Sequence, residues 1–185
     1  MITFQKIRWK NFLSTGDHWS EIDFLGNTTN LVVGTNGSGK STMLDALTFS
    51  LFNKPFRKIN KSQLVNATNE KDCVVEVEFT VNNKDYLVRR SIKPNKFDIE
   101  VNGTLLHKES DDRLNQKILE ENILKVNYKS FTQIVILGSS SFVPFMQLST
   151  SNRRDVIEDL LDIRIFSAMN TLIKEKIRTE KEKIR

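Results

Sequence analysis

Residues Gly34-Thr35-Asn36-Gly37-Ser38-Gly39-Lys40-Ser41-Thr42 follow the spacing G-x-x-x-x-G-K-[ST]. The chemistry of that spacing is the capture of a nucleotide's phosphate tail. Several backbone N–H groups must come within hydrogen-bond reach of one anion. Glycines at 34, 37 and 39 remove the Cβ atoms that would block this approach and permit positive φ. A helix starting near Lys40 points its positive end at the phosphates. Lys40 is the catalytic residue expected to reach the β- and γ-phosphate oxygens. The Ser41 hydroxyl is a hard oxygen donor suited to Mg²⁺. Asn36, Gly37, Ser38, Gly39, Lys40, Ser41 and Thr42 form the expected nucleotide-binding set.

The flanking elements suit this task. Asn30-Leu31-Val32-Val33 is a short apolar run ending at the first glycine, as a buried parallel strand would. Thr42 to Phe52 reads as a helix, with Leu44, Leu47, Phe49 and Leu51 giving broad apolar coverage. A strand, a glycine-rich loop and a helix in that order are the context the motif requires.

Around this centre the chain is β-rich. Residues 2–9 alternate, with an irregularity near Gln5, and predict a first strand; Ile22-Asp23-Phe24 predicts a second. Residues 53–71 read as a loop with a helical turn near Ser62-Gln63-Leu64. Val75, Val77, Phe79 and Val81 alternate with polar residues, Asn82-Asn83-Lys84 turns the chain, and Tyr86 to Arg90 returns. Phe97, Ile99 and Val101 alternate again before Asn102-Gly103, a type I′ hairpin signal. This half-polar insert, about residues 73–107, predicts antiparallel strands with one wet face.

The remainder is helical in pattern. Leu114, Ile118, Leu119 and Ile123 place an amphipathic helix over 111–124. Phe131 to Leu137 is apolar and precedes a Gly-Ser break. Ser151 or Asn152 is suited to cap a helix over Arg153–Leu161. From Ile163 to Arg185 there is neither Gly nor Pro, and Ile173, Ile177 and Ile184 form a narrow stripe among charges. This pattern predicts the start of a coiled-coil arm.

Bulk composition narrows the class. The chain has 185 residues, 38% hydrophobic and 28% charged, with net charge +5. It contains no 18-residue apolar run, so no membrane partner is expected. One cysteine, Cys73, fits a reducing cytoplasm, and neither His18 nor His107 has a metal-spaced partner. Basic residues cluster at Lys54, Arg57, Lys58 and Lys61, and seven Lys/Arg face three Glu over 163–185. With Lys93 and Lys96 these are candidates for phosphate-backbone contact, and nothing in them reads base identity.

A phosphate cradle alone does not hydrolyse ATP. An acidic residue at the end of an apolar strand must hold the metal's water shell, and another group must position the attacking water. Ile134-Val135-Ile136-Leu137 is the one good apolar run, and it ends in Gly138 rather than an acid. The expectation is an ATPase part whose catalytic carboxylate lies elsewhere.

Taken together, Gly34-x-Asn36-Gly37-Ser38-Gly39-Lys40-Ser41, the opening Ile7-Arg8-Trp9-Lys10-Asn11-Phe12-Leu13-Ser14, the hairpin insert, Phe142-Val143-Pro144-Phe145-Met146 and the run Arg153 to Phe166 resemble the SMC-like ABC ATPases. Within that group the chain is similar to the SbcC-type ATPase subunit of double-strand-break-repair nuclease complexes, in its tailed-phage form. The resemblance implies an α/β P-loop NTPase fold: lobe I of an ABC-type head over 1–162, with an antiparallel β subdomain, and the start of the coiled-coil arm over 163–185. It implies ATP and Mg²⁺ as cofactors and a C-terminal lobe of the same protein that supplies the missing acids. It further implies a homodimer of heads around two ATP molecules, a nuclease subunit docking near the coiled-coil base, and action in the cytoplasm of a host cell. The isolated chain is expected to be inactive as an ATPase. Transporter-like ABC domains and non-catalytic DNA- or partner-binding modules are the rival readings.

Two positions depart from the family pattern. Relatives carry a glutamine before the Phe-x-x-Phe stretch that touches Mg²⁺ and the lytic water. Register places Ser139 there, as a catalytic and Mg²⁺-binding candidate, with Gln133 the alternative. Leu13 stands where many relatives have a nucleotide-contacting arginine, and Asn66 is a candidate to flank the base.

Overall fold

The computed structural model describes residues 2–27, 29–106, 112–136, 145–161 and 163–184, and of residues 164 and 184 the backbone only. The chain divides into two compact units, Met1–Leu124 and Lys125–Arg185.

The first unit is built on one six-stranded antiparallel sheet with strand order β2-β1-β3-β4-β5-β6. Its strands are β1 (Ile2–Lys10), β2 (Ser20–Asp23), β3 (Cys73–Val81), β4 (Lys84–Ile92), β5 (Lys96–Val101) and β6 (Thr104–Leu105). The antiparallel strands expected over about 73–107 thus continue the sheet that β1 and β2 begin. β1 pairs along its length with β3, from Ile2↔Val81 to Lys10↔Val74, and the register shifts between Phe4 and Lys6 at the predicted irregularity. Asn102 and Gly103 take φ of 50° and 77°, both positive as a type I′ turn requires.

Alternation decides the two faces of the sheet. Ile7, Trp9, Val75, Val77, Phe79, Val88, Phe97 and Ile99 are buried on one face. Helix α1 (Thr42–Phe52) covers that face, packing on β1, β3 and β4. The opposite face is charged. Glu76 lies buried between Arg8 of β1 and Arg89 of β4, which are paired to it across the ladder.

The stretch Asn30–Val33 departs from expectation. It has no strand assignment, and Leu31 and Val33 are 88% and 80% exposed. A parallel strand exists only through a neighbour's backbone groups, and among the described residues no strand pairs with this run. The helix expected over 111–124 is described from Asp112. Its first half, α2 (Asp112–Lys117), is α-helical, and it continues as a π-helical segment over Ile118–Leu124.

The second unit is helical: α3 (Tyr128–Ile134), α4 (Thr150–Leu160) and α5 (Arg164–Ile184). Phe131, Ile136 and Val156 are buried in it. Ile134 is thus a helix terminus rather than part of a strand. Asn127 caps α3 by accepting from Ser130 N, and Asp159 accepts from Asn127 N at 3.1 Å. The cap of α4 is Ser149, whose hydroxyl accepts from Asn152 N, not Ser151 or Asn152. Helix α5 presents Ile165, Phe166, Met169, Leu172, Ile173 and Ile177 at its surface, each about half or more exposed.

Candidate functional site

Gly37 and Gly39 adopt φ of 87° and 92°, the left-handed region that glycine enters without strain. At Gly34 an added Cβ would crowd the Ser38 hydroxyl and stand 3.3 Å from the Ser38 Cβ, so any side chain there would press on Ser38. Ser38 N donates to Thr35 O at 3.2 Å and Thr42 N to Gly39 O at 2.9 Å, which turns the chain into α1. Ser41 is the N-cap of α1 and makes no side-chain cap bond. Its hydroxyl is therefore available as an oxygen donor beside the helix's positive pole.

Lys40 does not extend into solvent. Its ammonium donates to the carbonyls of Gly34 and Thr35, both at 2.7 Å. The cation that would meet a phosphate tail is thereby held over the loop by two backbone acceptors.

A cavity of about 480 Å³ opens against this loop, a volume in the range of nucleotide-sized sites. Asn36, Gly37, Gly39, Lys40, Ser41 and Thr42 line one part. Ser38 is absent from this lining; its hydroxyl faces Gly34 instead. Leu13, Ser14, Ile59, Gln63, Val65 and Ala67 line the rest, joined by Arg57. Sequence reasoning placed Arg57 only in a basic cluster and missed the others as cavity residues, Leu13 apart. One signal was available. Asp45 is the sole charge in Thr42–Phe52 and is fully buried. It accepts from Arg57 N at 2.9 Å and from the Arg57 guanidinium at 2.6 Å, which folds the loop after α1 back along the cavity.

The wall carrying Leu13 and Ser14 is fastened by asparagines. Asn11 and Leu13 have positive φ, 50° and 54°. Leu13 N donates to Leu64 O at 2.7 Å, and Phe12 bridges to Val65. Asn66 is 8% exposed and does not line the cavity. Its amide donates to Leu13 O and Thr15 O, and its carbonyl oxygen accepts from Thr68 N and Asn69 N. All four of its side-chain hydrogen-bonding positions hold backbone. It shapes the wall rather than facing a base.

Gln133 lies on α3, and its Oε1 is buried without a hydrogen-bond partner. Ser139 lies outside the described residues. Among the described residues no three His, Cys, Asp or Glu side chains stand together to hold a metal. The Mg²⁺ donor that this loop offers is the Ser41 hydroxyl, and it suits an ion that takes its remaining oxygens from phosphates and water.

Charge near the cavity is positive. Lys61, in the 3₁₀ turn Lys61–Leu64, donates to Asn95 Oδ1 at 3.2 Å. Burial, and next the neighbouring Arg90, hold its ammonium below the usual lysine value. Asn95-Lys96-Phe97-Asp98 has the N-K-x-D spacing associated with guanine recognition. Here it runs through the β4–β5 turn and into β5, with Phe97 buried, and none of the four lines the cavity.

A family model described as an AAA domain matches residues 6–185. "Exonuclease subunit 2" of Enterobacteria phage T4 is 42% identical over 172 residues, covering 93% of this chain and 30% of that protein. "DNA double-strand break repair Rad50 ATPase" of Thermoplasma volcanium is 27% identical over 179 residues, covering 94% of this chain and 19% of that protein. A solved structure described as "Structural biochemistry of ATP-driven dimerization and DNA stimulated activation of SMC ATPases" is similar with a TM-score of 0.58 and 25% identity, covering 85% of this chain and 98% of that one. The chain thus spans less than a third of the length of the curated relatives named here. Among the described residues no helix is long and apolar enough to cross a membrane.

Proposed function

The chain belongs to the AAA-domain family, whose pattern extends over residues 6–185, and from that premise we propose that it is the ATP-binding part of an SMC-like ATPase head that acts with a nuclease at DNA double-strand ends. Residues 1–162 form the lobe and 163–185 the start of the arm. The observation that carries this reading is the joint placement of Lys40, the uncapped Ser41 hydroxyl and the bare glycine loop on one nucleotide-sized cavity.

Each residue has a defined task. Loop N–H groups and the positive end of α1 bind the phosphate tail. Lys40 exchanges two carbonyl acceptors for phosphate oxygens, a stronger pairing because both partners are charged. Arg57, its charge balanced by Asp45, offers its remaining guanidinium N–H groups to the cavity wall. Leu13, Ile59, Val65 and Ala67 offer apolar surface where a nucleoside must lie once the phosphates are seated. Mg²⁺, when bound, neutralises phosphate charge and polarises the γ-phosphoryl group, and Ser41 is the ligand assigned to it. Register assigns Ser139 to the water-positioning place, with Gln133 the alternative.

The exposed run Leu31–Val33 takes its partner strand from the C-terminal lobe of the same protein, which also supplies the acidic water-holder. Two such heads close on two ATP molecules. The nuclease docks near the base of α5, and double-stranded DNA is held without regard to sequence. Turnover tests this directly. The chain alone binds an ATP analogue but hydrolyses negligibly, and mixing with the C-terminal lobe restores hydrolysis. Robust turnover by the isolated chain would sink the assignment. In completed heads, Ser139→Ala and Gln133→Ala compared side by side identify the water-positioning residue by loss of turnover at unchanged nucleotide affinity.

A further inference from the structure

The phosphate-binding helix is held at both ends. Its first turn carries Ser41 and Thr42 beside the cavity. Its last turn leaves carbonyls without intrahelical partners, and two of these accept from side chains. Ser50 O accepts from Arg90 Nε at 3.1 Å, and Leu51 O accepts from Gln116 Nε2 at 2.9 Å. Arg90 points into the buried face of the sheet, 3% exposed, with its guanidinium 3.6 Å from the centroid of the Phe97 ring. Its positive charge sits at the negative pole of α1, and burial lowers its pKa to about 10.

Gln116 joins this end of α1 to the next helix. Its Oε1 accepts from Arg90 Nη2 at 2.6 Å, and its Nε2 also donates to Glu120 Oε1 at 2.6 Å. Glu120 belongs to the π-helical segment Ile118–Leu124, which packs on α1 through this region. A π-helical segment is rare, and those that occur lie frequently at functional sites. This one ends at Leu124, where the first compact unit ends.

We propose that Gln116 is a positioning residue that couples the phosphate-binding helix to the π-helical segment, so that nucleotide at Lys40 and Ser41 changes the hydrogen bonding of residues 118–124. The inference rests on the nucleotide site proposed above. An 11-residue helix is a rod of about 16 Å, and a shift at its phosphate end is carried to Ser50 and Leu51. Ser50, Leu51 and Arg90 are buried, so a shift of these carbonyls is not absorbed by water on that side, while Gln116 and Glu120 are half-buried. The shift therefore passes through Gln116 to Glu120 and the π-helical turn.

Hydrogen exchange of the 185-residue chain, with and without saturating Mg²⁺ and a slowly hydrolysed ATP analogue, tests this. In the wild type, nucleotide protects residues 34–42 and alters exchange over 118–124 by at least threefold. Gln116→Leu binds a fluorescent ATP analogue within threefold of wild type, yet loses the response at 118–124. Gln116→Glu keeps an acceptor for Arg90, removes the donor to Leu51 O and behaves like Gln116→Leu. It serves as the second variant should the leucine form fold poorly. Protection of 34–42 with no change at 118–124 in wild type overturns the coupling alone, as does a full response in both variants. No protection at 34–42 and no binding of the analogue overturns the site reading, and this inference with it.

Discussion

Asp45 and Arg57 are bound through three atoms: the buried carboxylate of Asp45 takes the Arg57 backbone N–H at 2.9 Å and its Nε and Nη2 each at 2.6 Å. Asp45 is fully buried, while the Arg57 side chain is 46% exposed. The pair fixes the loop after α1 along the cavity. Asp45→Ala leaves the amide of Arg57 unpaired and is expected to destabilise the protein by about 2 kcal/mol, below the full cost for a buried pair because one partner is half in water. Asp45→Asn keeps an acceptor for the amide and falls between. Limited proteolysis checks this: cleavage within 53–60 accelerates in the order wild type, Asn, Ala. Equal cleavage rates would show that the loop is held by other contacts.

Lys40→Ala is expected to weaken binding of a fluorescent ATP analogue by about tenfold to a hundredfold, the loss of one or two charge-assisted hydrogen bonds. Its present acceptors, the Gly34 and Thr35 carbonyls, lie in an exposed loop. The melting midpoint should accordingly move by less than about 4 °C. A large drop in midpoint with unchanged affinity would assign Lys40 to stability instead.

Glu76 is 3% exposed on the charged face of the sheet and pairs with both Arg8 and Arg89. Glu76→Ala leaves two guanidinium groups facing each other. Because each arginine is about one-third exposed, the expected cost is discounted from the fully buried case to about 2 kcal/mol. The pair Arg178–Glu182 on α5 is mostly exposed, and Glu182→Ala should cost no more than about 0.5 kcal/mol. Urea unfolding of both variants against wild type measures the contrast.

Burial pushes the Cys73 thiol from 9.0 up to about 12. At pH 8 its thiolate fraction is then roughly a thousandfold below that of an unperturbed thiol, so alkylation in the native protein should be slower by about that factor until the strand opens. The same shift has a consequence for stability. A native pKa above the unfolded one stabilises fully below pH 9 and loses that contribution as pH rises toward 12. Lys61 and Arg90, both lowered by burial, act in the opposite sense, so the thiol's contribution is read as the difference between wild type and Cys73→Ala. Relative to Cys73→Ala, the wild-type urea midpoint should fall progressively above pH 9.

What could be read from residue order was local. The glycine-lysine loop, both ends of α1, the kink at Gln5 and the turn at Asn102-Gly103 each follow from neighbours within a few positions, where backbone freedom and periodicity set conformation. α5 was legible for the same reason: it lacks breakers and carries its stripe at helical spacing.

Tertiary structure decided the rest, because it depends on groups far apart in the chain. β1 joins β3 across some seventy residues, a pairing that no local pattern specifies. Arg57 turns to Asp45 and so becomes part of the cavity wall. Asn66 puts all its polar atoms on backbone. Arg90 points inward to the end of the phosphate-binding helix. Leu31–Val33 reads as a buried strand, yet no partner reaches it among the described residues, since a strand's hydrogen bonds belong half to its neighbour.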